Sequence, residues 1–321
     1  MKAIIHRKYG SPELLELREV EKPAPTEERV LVKVKAASIN PVERYTVRGP
    51  LMVRMFGNGL LRPKRGPLGS DLSGVVEVVG AKVTQFHPGD EVFGTGLGAL
   101  AEYSSAREDR LVPKPARVSF EQAAAVPIAG ITALQALRDW GGMRAGQKVL
   151  INGASGGVGS FAVQIAKSLG ANVTGVCSTG NVEIVKKLGA DLVLDYTKVD
   201  FVKDGRFYDL VIDNAGNRSL SDLRRVLTPN GTLVMNAGPR RGFIGFVFRL
   251  LRAILVSRVS SKKVVFHIAK INKKDLQILQ GMMESGEMTP QIDRTYPLSE
   301  TPDALLYLEG RHTRGKVVLT I

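Results

Sequence analysis

Hydrophobic and polar positions alternate in a regular order between residues 149 and 216. A hydrophobic run at 149–152 leads into a glycine-rich turn and then into an amphipathic stretch that ends near residue 170. The pattern continues with a strand-like run at 171–178, a helical one at 181–190, and strand-like runs at 191–196 and 208–216. This alternation predicts an α/β fold with a doubly wound parallel sheet.

The turn after the first strand reads NGASGGVGS (152–160) and predicts a dinucleotide-binding site. Gly156 would let the backbone approach a pyrophosphate, Gly159 would let the helix pack close to the strand, and the helix N-terminus would attract phosphates. The match to G-x-G-x-x-G is imperfect, because the first glycine falls on Ala154, and such turns also serve as plain connections. The turn residues expected to contact a nicotinamide cofactor are Ala154, Ser155, Gly156, Gly157, Val158 and Gly159.

The end of the second strand predicts which nicotinamide cofactor is bound. A carboxylate there would bind the 2′-hydroxyl of NAD and repel the 2′-phosphate of NADP. The chain instead has Ser178, 19 residues beyond Gly159, followed by Thr179. We therefore predict NADPH, with both hydroxyls near its phosphate. Lys186 on the next helix either reaches that phosphate or is a solvated surface charge.

The segments on either side of this fold have a different pattern. Residues 1–121 contain short β-like runs separated by proline and glycine turns, and they predict a compact, mostly β domain. After the parallel sheet come a helix near 273–285 and a closing strand at 316–321. We expect one domain of residues 1–121 and 268–321, a dinucleotide-binding domain of residues 122–267, and a substrate cleft between them.

Composition agrees with two ordinary domains, because 321 residues with 44% hydrophobic content can bury two cores. The single cysteine, Cys177, can form neither an internal disulfide nor a cysteine-rich zinc site. No export signal or membrane-spanning run is evident, so a cytoplasmic location is expected.

Several motifs at matching spacing resemble the zinc-independent quinone oxidoreductase branch of the medium-chain dehydrogenase/reductase superfamily. They are SINPVERYTVRG (38–49), GSDLSGVVEVVG (69–80), FHPGDEVFG (86–94), AEYSS (101–105), AAAVPIAGITALQAL (123–137), NGASGGVGSFAVQIAKSLGA (152–171), LGADLVLDY (188–196) and RGKVVLTI (314–321). The resemblance implies a GroES-like catalytic domain, a Rossmann domain, NADPH and a homodimer. It also implies reduction of a quinone or of an activated carbon–carbon double bond, two acceptors that these motifs do not separate.

The zinc-dependent alcohol dehydrogenases of this superfamily use cysteine or histidine ligands to hold a Lewis-acid metal. Where that branch has its first cysteine, this chain has Ser38 with Asn40 two residues later. Where that branch has Gly-His-Glu, this chain has Gly69, Ser70 and Asp71, and its four histidines are scattered without ligand spacing. We therefore expect no metal site.

The resemblance also implies roles for residues outside the glycine turn. Asn40 and Tyr45 would face the nicotinamide and the substrate, with Tyr45 donating a hydrogen bond or proton to a developing oxyanion. The alternative is a turn asparagine and a surface tyrosine. Further cofactor contacts would come from Thr132, Tyr196 and Arg314, and on topological grounds from Asn214, although each also has a plain structural explanation.

Charge is unevenly distributed along the chain. The formal net charge is +14, and between Leu223 and Lys274 there are 12 basic residues and no acidic ones. Segment 239–263 within this stretch carries apolar residues at helical spacing. With a second acid-free, basic and apolar stretch at 46–70, it suggests a hydrophobic, cationic surface that covers the active site or touches anionic membrane, and helps a small lipophilic substrate to enter. The alternative is a helix packed against its own domain or a second subunit. The apolar residues around Leu51 to Leu61 suggest a hydrophobic acceptor.

Two other functions remain open. A zinc-free alcohol dehydrogenase or carbonyl reductase would use the same hydride geometry. A nucleotide-regulated protein that binds nucleic acid or a membrane surface without turnover would also be basic. Nucleic-acid binding is disfavoured, because the chain has no zinc finger, helix-turn-helix or aromatic RNA-binding motif and only 6% aromatic residues.

Overall fold

The computed structural model describes residues 1–24, 26–55, 59–63, 66–236, 261–310 and 313–321. They form two compact units: a strand-rich unit of residues 1–131 and 271–321, and a sheet unit of residues 132–270. The sequence predicts boundaries at 121 and 267. At the first boundary the strand-rich unit extends further, to residue 131, because Ala124 and Ala125 pack against Ala36 and Val318 in its core, and at the second it begins at 271. Most of the predicted basic, apolar segment 239–263 lies outside the described residues.

The secondary structure of the described residues is as follows. The strands are β1 (Lys2–Ile5), β2 (Glu16–Glu19), β3 (Arg29–Ile39), β4 (Asp71–Val79), β5 (Glu91–Thr95), β6 (Tyr103–Arg107), β7 (Leu111–Pro113), β8 (Lys148–Asn152), β9 (Asn172–Cys177), β10 (Leu192–Asp195), β11 (Tyr208–Asp213), β12 (Leu227–Met235), β13 (Lys263–Phe266), β14 (Ile292–Pro297) and β15 (Lys316–Thr320). The α-helices are α1 (Pro41–Arg48), α2 (Leu51–Val53), α3 (Phe120–Ala124), α4 (Pro127–Gln135), α5 (Gly157–Ser168), α6 (Val182–Lys187), α7 (Leu220–Arg225), α8 (Lys273–Glu284) and α9 (Thr301–Glu309). Within the described ranges, none of these helices has both the length and the apolar character needed to cross a bilayer.

The main sheet of the strand-rich unit has the order β14-β15-β3-β4-β5-β7, and β6 also pairs with β3. Its neighbours are antiparallel except for β14 and β15. The register places Ser38 opposite Asp71 and Ile39 opposite Val317. The end of β3 therefore lies beside the starts of β4 and β15, which brings polar side chains from three strands together.

The sheet unit contains a parallel six-stranded sheet in the order β10-β9-β8-β11-β12-β13. Its central strand β8 is apolar throughout its middle, and Val149, Leu150 and Ile151 are fully buried, as expected for a parallel strand covered on both faces. The strand order reverses between β8 and β11, where a doubly wound sheet binds its ligand. The predicted fold, a mostly β domain plus a doubly wound parallel sheet, is confirmed.

Candidate active site

The glycine turn of the sheet unit has the shape that a phosphate requires. Gly153 has a φ of 79°, in the left-handed region that favours glycine. A Cβ atom on Gly159 would lie 2.0 Å from the Gly153 carbonyl oxygen, so only glycine lets α5 pack this closely. A Cβ atom on Gly156 would meet only that oxygen, at 3.5 Å, so the backbone there is open to a ligand.

The first backbone N–H groups of α5 lie at this turn and have no acceptor within the helix. The first N–H group of the helix to find an intrahelical acceptor is that of Ser160, which donates to the Gly156 carbonyl. The amides of Gly157, Val158 and Gly159 come before that bond, in the turn where helical N–H groups have no partner within the helix. No acidic side chain lies in this first turn to offset the positive end of the helix. An anionic ligand is therefore favoured here.

Two unpaired amide atoms flank the turn. Asn181, which follows β9, donates to the hydroxyls of Ser155 and Ser178 over 3.1 Å each, and its Oδ1 is buried without a hydrogen-bond partner in the described part of the chain. Asn214 follows β11, and its buried Nδ2 also has no hydrogen-bond partner among the described residues. Because β9 and β11 are the neighbours of β8, these atoms lie on the two sides of the turn. The turn, the helix end and these unpaired atoms fit a dinucleotide.

A carboxylate lies beside the end of β9, where the choice between NAD and NADP is made. It was not among the residues predicted from the sequence. Thr179 donates its hydroxyl hydrogen bond to Asp195 over 2.6 Å, and Thr197 donates to the same carboxylate. The hydrogen bond from Thr179 is the main cause of a lowered Asp195 pKa. Asp195 ends β10 and lies opposite Cys177 on β9, so only the strand pairing reveals its position.

The other predicted cofactor residues of the sheet unit lie at the following places. Lys186 is exposed on α6 and forms an ion pair of 2.9 Å with Glu183. Tyr196 is exposed just after β10 and donates its backbone N–H to the Cys177 carbonyl. Thr132 is partly buried in α4. The fold thus gathers Ser155, Ser178 and Thr179 near the turn, with Tyr196 beside Asp195.

A buried polar cluster forms at the end of β3 in the strand-rich unit. Asn40, only 3% exposed, donates from Nδ2 to Asp71 over 2.9 Å, and its Oδ1 accepts from the Lys316 ammonium group. Its backbone N–H donates to Glu43 over 2.8 Å. Ser38 donates to the same Asp71 oxygen, and the N–H of Ile128 donates to the other. Both ends of the Asn40 amide are therefore held by charged groups.

This cluster contains two carboxylates and one ammonium group, all buried. Burial, followed by the charge of Asp71, raises the pKa of Glu43 to about 7. Burial also raises the pKa of Asp71 and lowers that of Lys316, and the Lys316 and Asp71 charges oppose these shifts in one another. With a pKa of about 7, Glu43 is half protonated at neutral pH, which lowers the repulsion between the two neighbouring carboxyl groups.

Glu43 and Lys316 were not among the predicted site residues. Asn40-x-x-Glu43 is a capping-box spacing at the start of α1, and Lys316 belongs to the RGK motif, so both had a signal in the sequence. The donor set suits hydrogen bonding better than zinc, since it lacks sulfur and imidazole and already contains an ammonium 3.6 Å from Asp71. Within the described ranges, no three His, Cys, Asp or Glu side chains are grouped as metal ligands.

The remaining predicted residues of the strand-rich unit are exposed. Tyr45 lies on α1, one and a half turns from Asn40, and is 37% exposed, with the Arg44 guanidinium 4.9 Å from the centre of its ring. Arg314 is exposed ahead of β15, and its backbone N–H donates to Asp293. The structure therefore brings Asn40 and Tyr45 onto one helix, anchored on the buried cluster.

Comparison with known proteins establishes the family. A chloroplast envelope quinone oxidoreductase homolog from Arabidopsis thaliana is 34% identical over 337 residues, covering 99% of this chain and 98% of the relative. The chain belongs to the medium-chain dehydrogenase/reductase superfamily, as a quinone oxidoreductase-like member. The predicted resemblance is confirmed, and the chain is an oxidoreductase that uses a nicotinamide cofactor.

Further comparisons agree with this membership. Two family models match, one described as alcohol dehydrogenase GroES-like domain over residues 26–116 and one as zinc-binding dehydrogenase over 188–319. A 2-methylene-furan-3-one reductase from Solanum lycopersicum is 33% identical, covering 99% of this chain and 79% of its own. The structure of Escherichia coli quinone oxidoreductase complexed with NADPH has a TM-score of 0.86 and 26% identity, and all of both chains is covered.

Proposed function

We propose that this protein is an NADPH-dependent, zinc-independent reductase of quinones or of α,β-unsaturated carbonyl compounds. The observation that carries the proposal is the open glycine turn at Gly156, flanked by amide atoms of Asn181 and Asn214 that have no hydrogen-bond partner among the described residues. Unpaired buried polar atoms lower stability unless a ligand satisfies them. A dinucleotide placed over β8 would supply such a ligand on both sides.

The bound cofactor would supply a hydride from its nicotinamide ring. The turn amides and the α5 N-terminus would hold its phosphates, and Asn214, next to the point of strand-order reversal, would contact its nicotinamide half. Hydride addition to an electrophilic carbon or to a quinone leaves an oxyanion or enolate that needs a proton. The exposed hydroxyl of Tyr45 donates that proton or a hydrogen bond, while Asn40, Asp71 and Lys316 hold the start of α1 in place.

The preference for NADPH rests on the end of β9. Ser178 and Thr179 stand there in place of the carboxylate that would bind the 2′-hydroxyl of NAD. The E. coli relative is complexed with NADPH, which supports the same cofactor here. Asp195 acts against this preference, because its charge lies beside Thr179.

A lipophilic acceptor is supported by exposed apolar side chains in the strand-rich unit. Leu51, Met55, Leu60 and Leu61 are all exposed, Leu61 at 88%. Exposed apolar side chains that adjoin one another mark sites for apolar partners or ligands, and these four lie close together along the chain. The names of the relatives, quinone oxidoreductases and a furanone reductase, support a conjugated carbonyl as acceptor.

Steady-state oxidation of NADPH and NADH tests this function, with a naphthoquinone and an α,β-unsaturated ketone as acceptors. We expect turnover with at least one acceptor and a higher kcat/KM for NADPH than for NADH. The better acceptor assigns the substrate class. Cofactor binding without turnover on either acceptor would contradict the proposal, and a higher kcat/KM for NADH would refute the NADPH preference alone.

A further inference from the structure

One row of paired residues crosses all six strands of the parallel sheet near their carboxyl ends, and two of its members are polar. These two are Asn152 on β8 and Asp213 on β11, which lie opposite one another. The other members of the row are apolar: Leu194, Val176, Met235 and Phe266. Asp213 is 0% exposed and Asn152 is 1% exposed, and the pair stands where the strand order reverses.

The burial of these two side chains needs a reason beyond packing. Burying a carboxyl group costs free energy unless hydrogen bonds replace those that it made to water. Met235, which lies opposite Asp213 on β12, shows that an apolar residue fits at the same level of the next strand. The hydrogen bonds of the pair indicate what the polar side chains do instead.

Asp213 binds the loop that follows its own strand. Its Oδ1 accepts the backbone N–H of Gly216 over 3.0 Å and a hydrogen bond from Nδ2 of Asn152 over 2.9 Å. Gly216 has a φ of 61°, in the left-handed region that favours glycine. The carboxyl group therefore closes a turn between residues 213 and 216 at the end of β11.

The backbone N–H of Gly216 fixes the direction of the hydrogen bonds that follow. A backbone N–H can only donate, so Oδ1 of Asp213 is an acceptor, and Asn152 must present its NH2 group to it. The same NH2 group also donates to Oδ1 of Asn217 over 2.8 Å. The loop of residues 214–217 is therefore held at two points, at Gly216 by Asp213 and at Asn217 by Asn152.

This loop adjoins the glycine turn. The N–H of Asn214 donates to the Asn152 carbonyl over 3.0 Å. A Cβ atom on Gly153, where the glycine turn begins, would lie 3.4 Å from the backbone nitrogen and the Cβ of Ala215. The loop follows β11, the first strand beyond the strand-order reversal, and so belongs to the second mononucleotide half of the sheet.

We propose that Asp213 is a positioning residue of the cofactor site, which acts with Asn152 to hold loop 214–217 against the glycine turn, where the loop contacts the nicotinamide half of the cofactor. The proposal rests on the proposed function, because it needs a dinucleotide over β8. Both side chains are buried and act only through the loop.

Two ligands separate this role from general damage to the fold. NADPH has both halves, whereas adenosine 2′,5′-bisphosphate has no nicotinamide half. Calorimetric titration gives Kd for both ligands, and circular dichroism gives Tm. For Asp213→Leu we expect about tenfold weaker binding of NADPH, with Kd for the bisphosphate within about twofold of the wild type. An equal loss for both ligands, or an unchanged Kd for NADPH, would overturn the proposal.

Asp213→Asn is the matched control. The hydrogen bonds from Gly216 and Asn152 both go to one oxygen, so the amide oxygen of the variant can accept both. Its Kd for NADPH should stay within about threefold of the wild type. A loss as large as that of Asp213→Leu would assign the effect to the charge instead of the position of the loop, and would also overturn the proposal.

Hydrogen exchange of the wild type, followed by mass spectrometry, gives a readout that does not depend on how the variants fold. We expect exchange in peptides that cover residues 214–217 to slow when NADPH binds and to stay unchanged with the bisphosphate. Unchanged exchange with NADPH would overturn the inference. A wild type that binds neither NADPH nor NADH would refute the proposed function itself, whereas wild-type binding of NADPH without any effect on this loop would refute this inference alone.

Discussion

At the scale of single residues, the pH dependence of stability tests whether the Glu43 carboxyl group is buried with a raised pKa. Its carboxyl group is buried at the start of α1, and its pKa is raised to about 7 from an ordinary 4.5. The folded protein therefore keeps a proton that the unfolded chain releases, so the free energy of unfolding should fall as pH rises from 4.5 to 7. A rise of the pKa from 4.5 to about 7 changes the free energy of unfolding by about 3 kcal/mol.

Glu43→Gln removes this titration while keeping an oxygen for the Asn40 N–H. Urea unfolding at pH 5 and pH 8 should show a wild type that loses about 3 kcal/mol relative to the variant over this range. Parallel pH profiles for the two proteins would show that Glu43 titrates normally in the fold.

Tyr45 is the residue to which we assign proton donation. Tyr45→Phe keeps the exposed ring and removes only the hydroxyl, so kcat should fall by about a hundredfold while Kd for NADPH is unchanged. Tyr103→Phe is the control, since Tyr103 lies on β6 in contact with the Lys22 ammonium. Unchanged kcat for Tyr45→Phe on both acceptor classes would rule out the hydroxyl as donor.

Asp195 allows the cofactor preference to be changed at one position. Asp195→Asn keeps an oxygen for one of the two threonine hydroxyls, of Thr179 or Thr197, but removes a charge that repels a 2′-phosphate. The ratio of kcat/KM for NADPH to that for NADH should rise about threefold, the effect of one solvent-exposed charge at short range. Glu284→Gln changes the net charge equally on α8 and should leave the ratio unaltered. An identical ratio for Asp195→Asn would place the phosphate elsewhere.

At the scale of elements, two glycines of the turn have different roles: Gly159 allows α5 to pack, and Gly156 leaves room for the cofactor. A methyl group at Gly159 would collide with the Gly153 carbonyl, whereas one at Gly156 meets only that oxygen, at an ordinary distance. Gly159→Ala should therefore lower Tm by several degrees. Gly156→Ala should keep Tm but raise Kd for NADPH about tenfold or more, because its methyl group occupies the phosphate approach. Equal effects of the two variants on Tm would contradict this division.

Local pattern predicted the elements well, because each depends on its own residues. The predicted helix at 181–190 is α6 (Val182–Lys187), and the predicted strand at 208–216 is β11 (Tyr208–Asp213). Side-chain contacts between neighbouring strands could not be predicted from local pattern, because they depend on which strands pair. Asp195 reaches Thr179 because β10 pairs with β9, and Ser38 meets Asp71 because β3 pairs with β4. His267 likewise meets Asn236 because β13 pairs with β12.

At the scale of the whole molecule, several expectations remain predictions. The charge of +14 and the exposed side chains of Leu51, Met55, Leu60 and Leu61 agree with contact to anionic membrane, and a homodimer is the family expectation. A cytoplasmic location also stays a prediction. Co-sedimentation with anionic vesicles at low salt, compared with neutral vesicles, tests the membrane contact directly, and equal binding to both would contradict it.

The central claim is hydride transfer from NADPH without a metal. The most direct measurement is the rate of NADPH oxidation by chelator-dialysed protein with its better acceptor, before and after zinc is added. The buried Lys316 ammonium beside Asp71 predicts the same rate in both conditions, within about twofold. Turnover that appears only after zinc is added would contradict the account.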